Sequence, residues 1–310
     1  MPMPYSAETG GPGPEVFGIG AATLDDLWVV PDFSDTERVQ QANGHKLMGG
    51  GPVATALCVL SRLGHRTALV DVCGDDAAGD CIIDDLQRCG ISTHMMRRVA
   101  GACSARALVL VRHTDGARQI VFQPSSAGEP VLDSSMRSAI RSARLLHLNG
   151  RHESAAREAV KVAKDAGVMI SFDGGAGRYR ESILDLAKES QVRIVSRDFA
   201  EQWTGKSEMS AMLELLSKPP AQVVVITEGM QGSHVICADG TTHYQPAFEA
   251  TRLVDTTGCG DVYHGGFLHG WLSDWGMPEC AQFAARLAAI NAEGLGGRHV
   301  CLSTTPLIAS

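Results

Sequence analysis

The sequence is most informative first in what it lacks. No apolar run approaches the length needed to cross a bilayer, and the first fifteen residues, rich in Pro and Gly, have no apolar signal-peptide core. Residues 1–14 therefore read as a loose tail on a soluble protein with no membrane partner. An excess of positive charge is missing too: the net charge is −8, which argues against a nucleic-acid partner, since that calls for clustered Lys and Arg. Nine cysteines are present, an odd number, and none forms a close C-x-x-C pair of a zinc or redox motif. Most sit inside apolar patterns, which fits a reduced cytoplasm. There is no internal repeat and no low-complexity segment.

A length of 310 residues exceeds the usual domain, yet α/β folds of this size often form one domain around a large sheet. The order of apolar patterns supports that class. Residues 16–20 read as a buried strand and 52–63 as a helix with Val53, Ala56, Leu57, Leu60 and Leu63 on one face, followed by Gly64 at a C-cap position. Strands at 67–72, 145–148, 168–172, 193–195 and 223–227 alternate with helices at 77–89, 153–166 and 181–188. Such alternation predicts a three-layer α/β/α fold with a mostly parallel sheet. Residues 27–48 form a long connection without helical period, and 105–122 hold two β-rich runs around Thr114-Asp115-Gly116, a hairpin signal. These two stretches, about 27–47 and 104–123, are expected to form a small β-sheet lid on a single domain covering residues 1–310.

Three segments carry chemistry. Asp255-Thr256-Thr257-Gly258-Cys259-Gly260-Asp261 precedes an amphipathic run, 262–271. A helix starting there would aim unpaired N–H groups and its positive dipole end at an anion. Phosphoryl transfer needs mainly positioning and charge stabilisation, so such a turn suits it. Asp261 at the helix start is either a base for an attacking hydroxyl or a helix cap. Gly49-Gly50-Gly51-Pro52, with Pro52 able to open a helix, is either a substrate cradle or a flexible loop. Thr227-Glu228-Gly229-Met230-Gln231-Gly232 follows a strand at the sheet edge where α/β proteins bind ligands, or else is a plain hairpin turn.

GGGPVATALCVLSRLG, TEGMQG and DTTGCGDVYHGGF, in that order, resemble the signatures of the ribokinase, or PfkB, carbohydrate kinase family over residues 16–302. The resemblance implies a ribokinase-like fold and ATP-dependent phosphorylation of a sugar hydroxyl. In that reading Asp261 is the catalytic base and Gly258, Cys259 and Gly260 the anion hole. Thr227, Gly229, Gly232 and Thr257 meet ATP. Asp255 and Thr257 bind a monovalent cation, potassium, besides the Mg²⁺ that accompanies ATP. Gly49, Gly50 and Gly51 face substrate, and Asp25, matched to an Asp on the first strand, binds sugar hydroxyls. The lid implies a homodimer.

The departures are equally specific. Ala54 replaces an Asn common in the family, and Ser196-Arg197-Asp198-Phe199 replaces its Asn-x-x-Glu motif, with Asp198 the candidate substitute. In motif form the chain is similar to sulfofructose kinases. Arg151 matches their sulfonate-binding Arg, while their Lys falls at Val39, beside Arg38, and their lid Asn near Phe122. The expected acceptor is a sugar or sugar acid with a negative substituent facing Arg151. Two rivals exist. A nicotinamide dehydrogenase would use Gly18-Ile19-Gly20, but the third glycine and a prompt helix are missing. A non-catalytic nucleotide or sugar binder would explain the lost Asn-x-x-Glu. His264 and His269 read as packing or surface residues.

Overall fold

The computed structural model describes residues 13–302 other than 36 and 38. The expected N-terminal tail falls almost wholly outside the described residues, and Arg38 lies outside them too. The chain begins with β1 (Val16–Ile19), β2 (Thr23–Val30), β3 (Gly44–Gly50), α1 (Pro52–Arg62), β4 (Thr67–Gly74), α2 (Ala77–Arg88) and β5 (Met96–Val99). Next come β6 (Arg106–Arg112), β7 (Arg118–Gln123), α3 (Ser134–Ser142), β8 (Leu145–Leu148), α4 (Glu153–Ala166) and β9 (Met169–Gly174). Then follow α5 (Leu184–Lys188), β10 (Val192–Ser196), α6 (Arg197–Thr204), α7 (Met209–Leu216) and β11 (Val223–Thr227). The last elements are β12 (Ser233–Cys237), β13 (Thr242–Gln245), α8 (Cys259–Leu272), α9 (Met277–Asn291) and α10 (His299–Leu302).

Among the described residues these strands make two sheets. The larger runs β13-β12-β11-β10-β9-β8-β1-β4-β5, parallel from β11 to β5 and antiparallel at the β12–β13 edge. Its central strands are buried and mostly apolar because helices cover both faces, with His147, Ser171 and Asp173 as polar exceptions. Phe17, Ile19, Leu146 and Leu148 pack against Ala156, Ala159 and Ala163 of α4 on one face. Val16, Leu69, Leu145 and Val225 pack against Val53 and Leu57 of α1 and Phe267 of α8 on the other. At ~25 cal/mol per Å² of buried apolar surface, two such faces are the main stabilising term.

The smaller sheet, β3-β2-β6-β7, is parallel only between β2 and β6. Period-two alternation sorts its residues. Leu27, Met48, Val109 and Val111 make a small inner core, while Trp28, Leu47, Leu108 and Val121 stay exposed on the other side.

Three expectations need correction. β2 starts at Thr23 rather than at 27, so Asp25 lies on the small sheet and not on the first strand. The chain leaves the large sheet after Ile19 because the Ala22 N–H is captured by Asp71 Oδ2 at 2.7 Å, which ends β1. Gly49 and Gly50 are not loop residues: they close β3, paired with Leu24 and Thr23, and only Gly51 forms the turn before α1. Finally, α8 is not amphipathic but buried from Val262 to Gly270, because α1 and α9 sandwich it, with Val59 and Ala284 against Gly265 and Gly266.

Candidate active site

The carboxyl ends of the parallel strands and the inner face of the small sheet enclose a cavity of about 1280 Å³. The loop before α8 forms one wall. Gly258 is the α8 N-cap at φ 71, and a Cβ there would lie 2.5 Å from Gly297 Cα, so both conformation and space demand glycine. Asp255, fully buried, clamps the loop: its Oδ1 accepts the Thr257 N–H and its Oδ2 the Gly296 N–H, each at 2.8 Å. Asn291 Nδ2 donates to Thr257 O at 3.0 Å. The N–H groups of Gly260 and Asp261 have no upstream carbonyl partner, as the first turn of a helix requires. With the helix dipole behind them they offer the cavity an anion-binding end. Burial pushes the Cys259 thiol up to about 11, so it stays neutral.

Asp261 stands in the first turn of α8 and lines the cavity. It makes no capping hydrogen bond, the cap position being Gly258. Burial raises its pKa, and Arg178 opposes that rise with Nη1 3.6 Å from Asp261 Oδ1. The same Nη1 lies 3.3 Å from Asp173 Oδ2. Behind this pair His264 Nε2 approaches Asp173 Oδ1 at 3.5 Å, and His147 Nδ1 bonds Ser171 Oγ at 2.7 Å. Burial pushes His147 down to about 3 and His264 to about 4.

On the opposite side Asp25 is 7 % exposed, bonded by the Thr23 hydroxyl at 2.5 Å. Burial pushes its carboxyl up to about 6. Gly50 makes room for it, since a Cβ there would meet Asp25 Oδ2 at 2.1 Å. Arg298, buried, in turn fixes this strand end by donating to Gly50 O at 2.7 Å and to Asp85. Arg151 stacks over the Phe122 ring at 4.8 Å, with Arg178 and Arg180 near enough to join burial in lowering its pKa. Its backbone is set by an unusual neighbour: His152 has φ 54 and its Nε2 is tied to the buried Asp71 Oδ1 at 2.7 Å.

Along a third wall β11 ends at Thr227 and a short turn at Gly229–Gln231 leads into β12, closed by the Glu228 N–H bond to Gly232 O at 2.8 Å. The Glu228 carboxylate is spent on Arg197 at 2.5 Å and His234 at 3.0 Å.

The cavity thus brings together Asp25, Gly51, Arg151, Thr227, Gly229, Gly232, Thr257, Gly258, Cys259, Gly260 and Asp261. Gly49, Gly50 and Asp255 stand behind its surface as supports. Val39 is fully exposed and does not join Arg151. Asp198 is exposed, its Oδ2 accepting the Gly177 N–H at 2.9 Å, and it is not among the residues that line the cavity. His269 is buried against Trp275 and Phe283. His264 is buried too but lines the cavity, so the expectation of mere packing is too narrow for it. Sequence reasoning passed over Arg178, Asp173 and Arg118, which also line the cavity. One signal was available for Asp173 and Arg178: residues 173–178 span the carboxyl end of the buried parallel strand β9 and the loop after it, the place where α/β sheets bind ligands.

Comparison with known proteins agrees with this architecture. Residues 15–305 match the pfkB family carbohydrate kinase profile. The chain is 26% identical over 275 residues to "Probable fructokinase-5" of Arabidopsis thaliana, covering 82% of each chain. It is 26% identical to "ATP-dependent ribose-1-phosphate kinase" of Halopiger xanaduensis, over 84% of this chain and 88% of the relative. A crystal structure of a putative ribokinase from Agrobacterium tumefaciens superposes with a TM-score of 0.83 at 26% identity, over 92% of this chain and 93% of the other. With a mostly parallel sheet, a four-stranded side sheet and a glycine turn opening a buried helix, the chain belongs to the pfkB family of carbohydrate kinases.

Proposed function

We propose that this kinase transfers the terminal phosphoryl group of ATP to a hydroxyl of a sugar or sugar acid that carries an anionic substituent. The observation that carries the reading is the position of Asp261: a carboxylate at the cavity wall, beside two unpaired helix amides and 3.6 Å from Arg178. Asp261 accepts the hydroxyl proton, while the unpaired amides of Gly260 and Asp261 receive charge on the transferred group. Asp25 accepts hydrogen bonds from sugar hydroxyls. Arg151, with Arg178 behind it, faces the negative substituent. Sugar phosphates fit this class, and a relative carries the name ribose-1-phosphate kinase.

ATP would lie along Thr227, Gly229 and Gly232 with Thr257 at its phosphates. Magnesium bound to those phosphates would neutralise their charge; since Glu228 is spent on Arg197 and His234, phosphate oxygens and water would supply its ligands. For a potassium ion the donor set is suitable: Thr257 Oγ1 is buried without a hydrogen-bond partner beside the buried Asp255. The small sheet serves as a lid that shuts water out on closing. Its exposed face of Trp28, Leu47, Leu108 and Val121 is the surface for a homodimer.

The test is a coupled assay for substrate-dependent ADP release over neutral sugars, sugar acids, sugar phosphates and nucleosides, with and without potassium. Turnover highest on an anionic acceptor is expected. Preference for neutral sugars by tenfold or more contradicts the anionic class, and no release with any acceptor, despite ATP binding, contradicts the kinase reading of the site.

A further inference from the structure

The structure assigns a transition-metal site to His147, Asp173 and His264, on the floor of the cavity behind Asp261. This inference stands apart from the phosphoryl-transfer reading and from the ions that accompany ATP.

The three residues come from β8, β9 and α8 and are 0%, 1% and 5% exposed. One ligand atom from each lies within 4.8 Å of the others. Each of the three residues also has a buried side-chain atom without any hydrogen-bond partner: His147 Nε2, Asp173 Oδ1 and His264 Nδ1. Leaving one buried polar atom unsatisfied costs about 1–3 kcal/mol, so three residues within ligand reach of one another that each carry such an atom mark a place that something fills.

The geometry favours an ion. His264 Nε2 is 3.5 Å from Asp173 Oδ1, close to the spacing of two ligands that each lie ~2.0–2.2 Å from a tetrahedral metal. His147 Nδ1 is engaged by Ser171 Oγ at 2.7 Å, which leaves Nε2 as the free nitrogen. Such an outer hydrogen bond orients metal-binding imidazoles. Asp173 is braced likewise through Oδ2 by Arg178. Two imidazoles and a carboxylate suit Zn²⁺ and similar divalent transition metals, whereas Mg²⁺ and K⁺ take oxygen ligands. Asp173 and His264 line the cavity, so a fourth coordination position opens towards it. Bound there, the ion ties two central strands to the helix that bears Asp261 and fixes the carboxylate against which Arg178 rests.

A buried water would satisfy the same atoms, and the experiment separates the two. The full-length protein is stripped with chelator, without nucleotide, and titrated with Co²⁺ and Zn²⁺ while visible absorption, metal content after dialysis and melting temperature are followed. The expected result is about one equivalent of Co²⁺ with a visible d–d band, displaced by Zn²⁺, and a melting temperature several degrees higher with metal. His147→Gln and Asp173→Asn should each weaken binding at least ~10-fold. Should either fail to fold, Ser171→Ala removes only the outer hydrogen bond and should still weaken it by about tenfold. Wild-type protein that binds no ion overturns the assignment in favour of water. Equal binding by wild type and the folded variants overturns it as well, because the ion then sits elsewhere.

Discussion

Arg178 reaches Asp261 at 3.6 Å and is braced from behind by Asp173 at 3.3 Å, so one guanidinium joins the proposed base to the central sheet. An opposite charge at this range stabilises the carboxylate form, typically by 1–3 pKa units. Burial drives Asp261 the other way. The base is therefore held in balance, and Arg178 is the part of that balance open to substitution.

Arg178→Ala should raise the pKa of Asp261 and move the acid limb of the pH dependence of kcat/KM to higher pH, by about one unit. Arg178→Lys should shift it less. The profile of kcat/KM from pH 4.5 to 9 checks this. An unmoved acid limb in the Ala variant would show that Arg178 does not tune the base.

In the proposed reading, Asp25 sets function against stability. Burial pushes its pKa from 3.8 up to about 6. The folded state therefore binds a proton more tightly than the unfolded one. This contribution is fully present below pH ~4 and is lost as pH rises through about 6. At pH 7.5 the buried carboxylate costs up to about 3 kcal/mol. Asp25→Asn should raise the melting temperature at pH 7.5 but not at pH 4, while the acceptor KM climbs at least ~10-fold. For wild type, the same KM should rise as pH falls below about 6. Thermal melts at two pH values and steady-state kinetics decide.

Arg298 is 1 % exposed and bonds Asp85, Gly50 O and Thr55 Oγ1. Arg298→Met takes from Asp85 its buried charge partner and leaves only the more exposed Arg88 at 3.6 Å, a loss of about 2–4 kcal/mol. The variant should melt well below wild type, and any folded fraction should show a raised acceptor KM, because Gly50 and hence Asp25 lose their support. Urea unfolding measures the first effect. A loss under about 1 kcal/mol would mean that the network is not a structural joint.

Leu108 and Val121 pair across the exposed face of the small sheet. If that face joins two copies, Leu108→Lys should convert dimer to monomer in light scattering after size exclusion, with little change in melting temperature at low protein concentration. Wild-type protein that is monomeric at ~50 μM, far above a typical nanomolar to micromolar dissociation constant, would contradict the proposed dimer.

The parallel layer was legible because each buried strand is an apolar run bounded by turn residues. β8, α4 and β11 end at the residues that the pattern gives. Asp25 was misplaced because the short break at 20–22 owes its shape to Asp71, 49 residues away from Ala22, a contact with no local signature. Gly49 and Gly50 suggest a loop by type, yet they close a strand because Asp85 and Asp25 occupy the space of their missing side chains. The glycine turn and Asp261 were readable because a helix start carries its own local chemistry. The assembly around them was not: His147, Asp173, Arg178 and His264 meet only through the order of β8, β9 and α8 in space. Nothing in the separation of 147 from 264 announces that contact.

The most direct measurement is turnover of Asp261→Asn with the acceptor that wild type uses best, alongside ATP affinity by calorimetry. Positioned proton transfer contributes ~10²–10⁴-fold, so turnover should fall by at least about 100-fold with ATP affinity within about threefold of wild type. Near-normal turnover in a variant that binds ATP normally would contradict the account, because Asp261 would then not be the group that takes the proton.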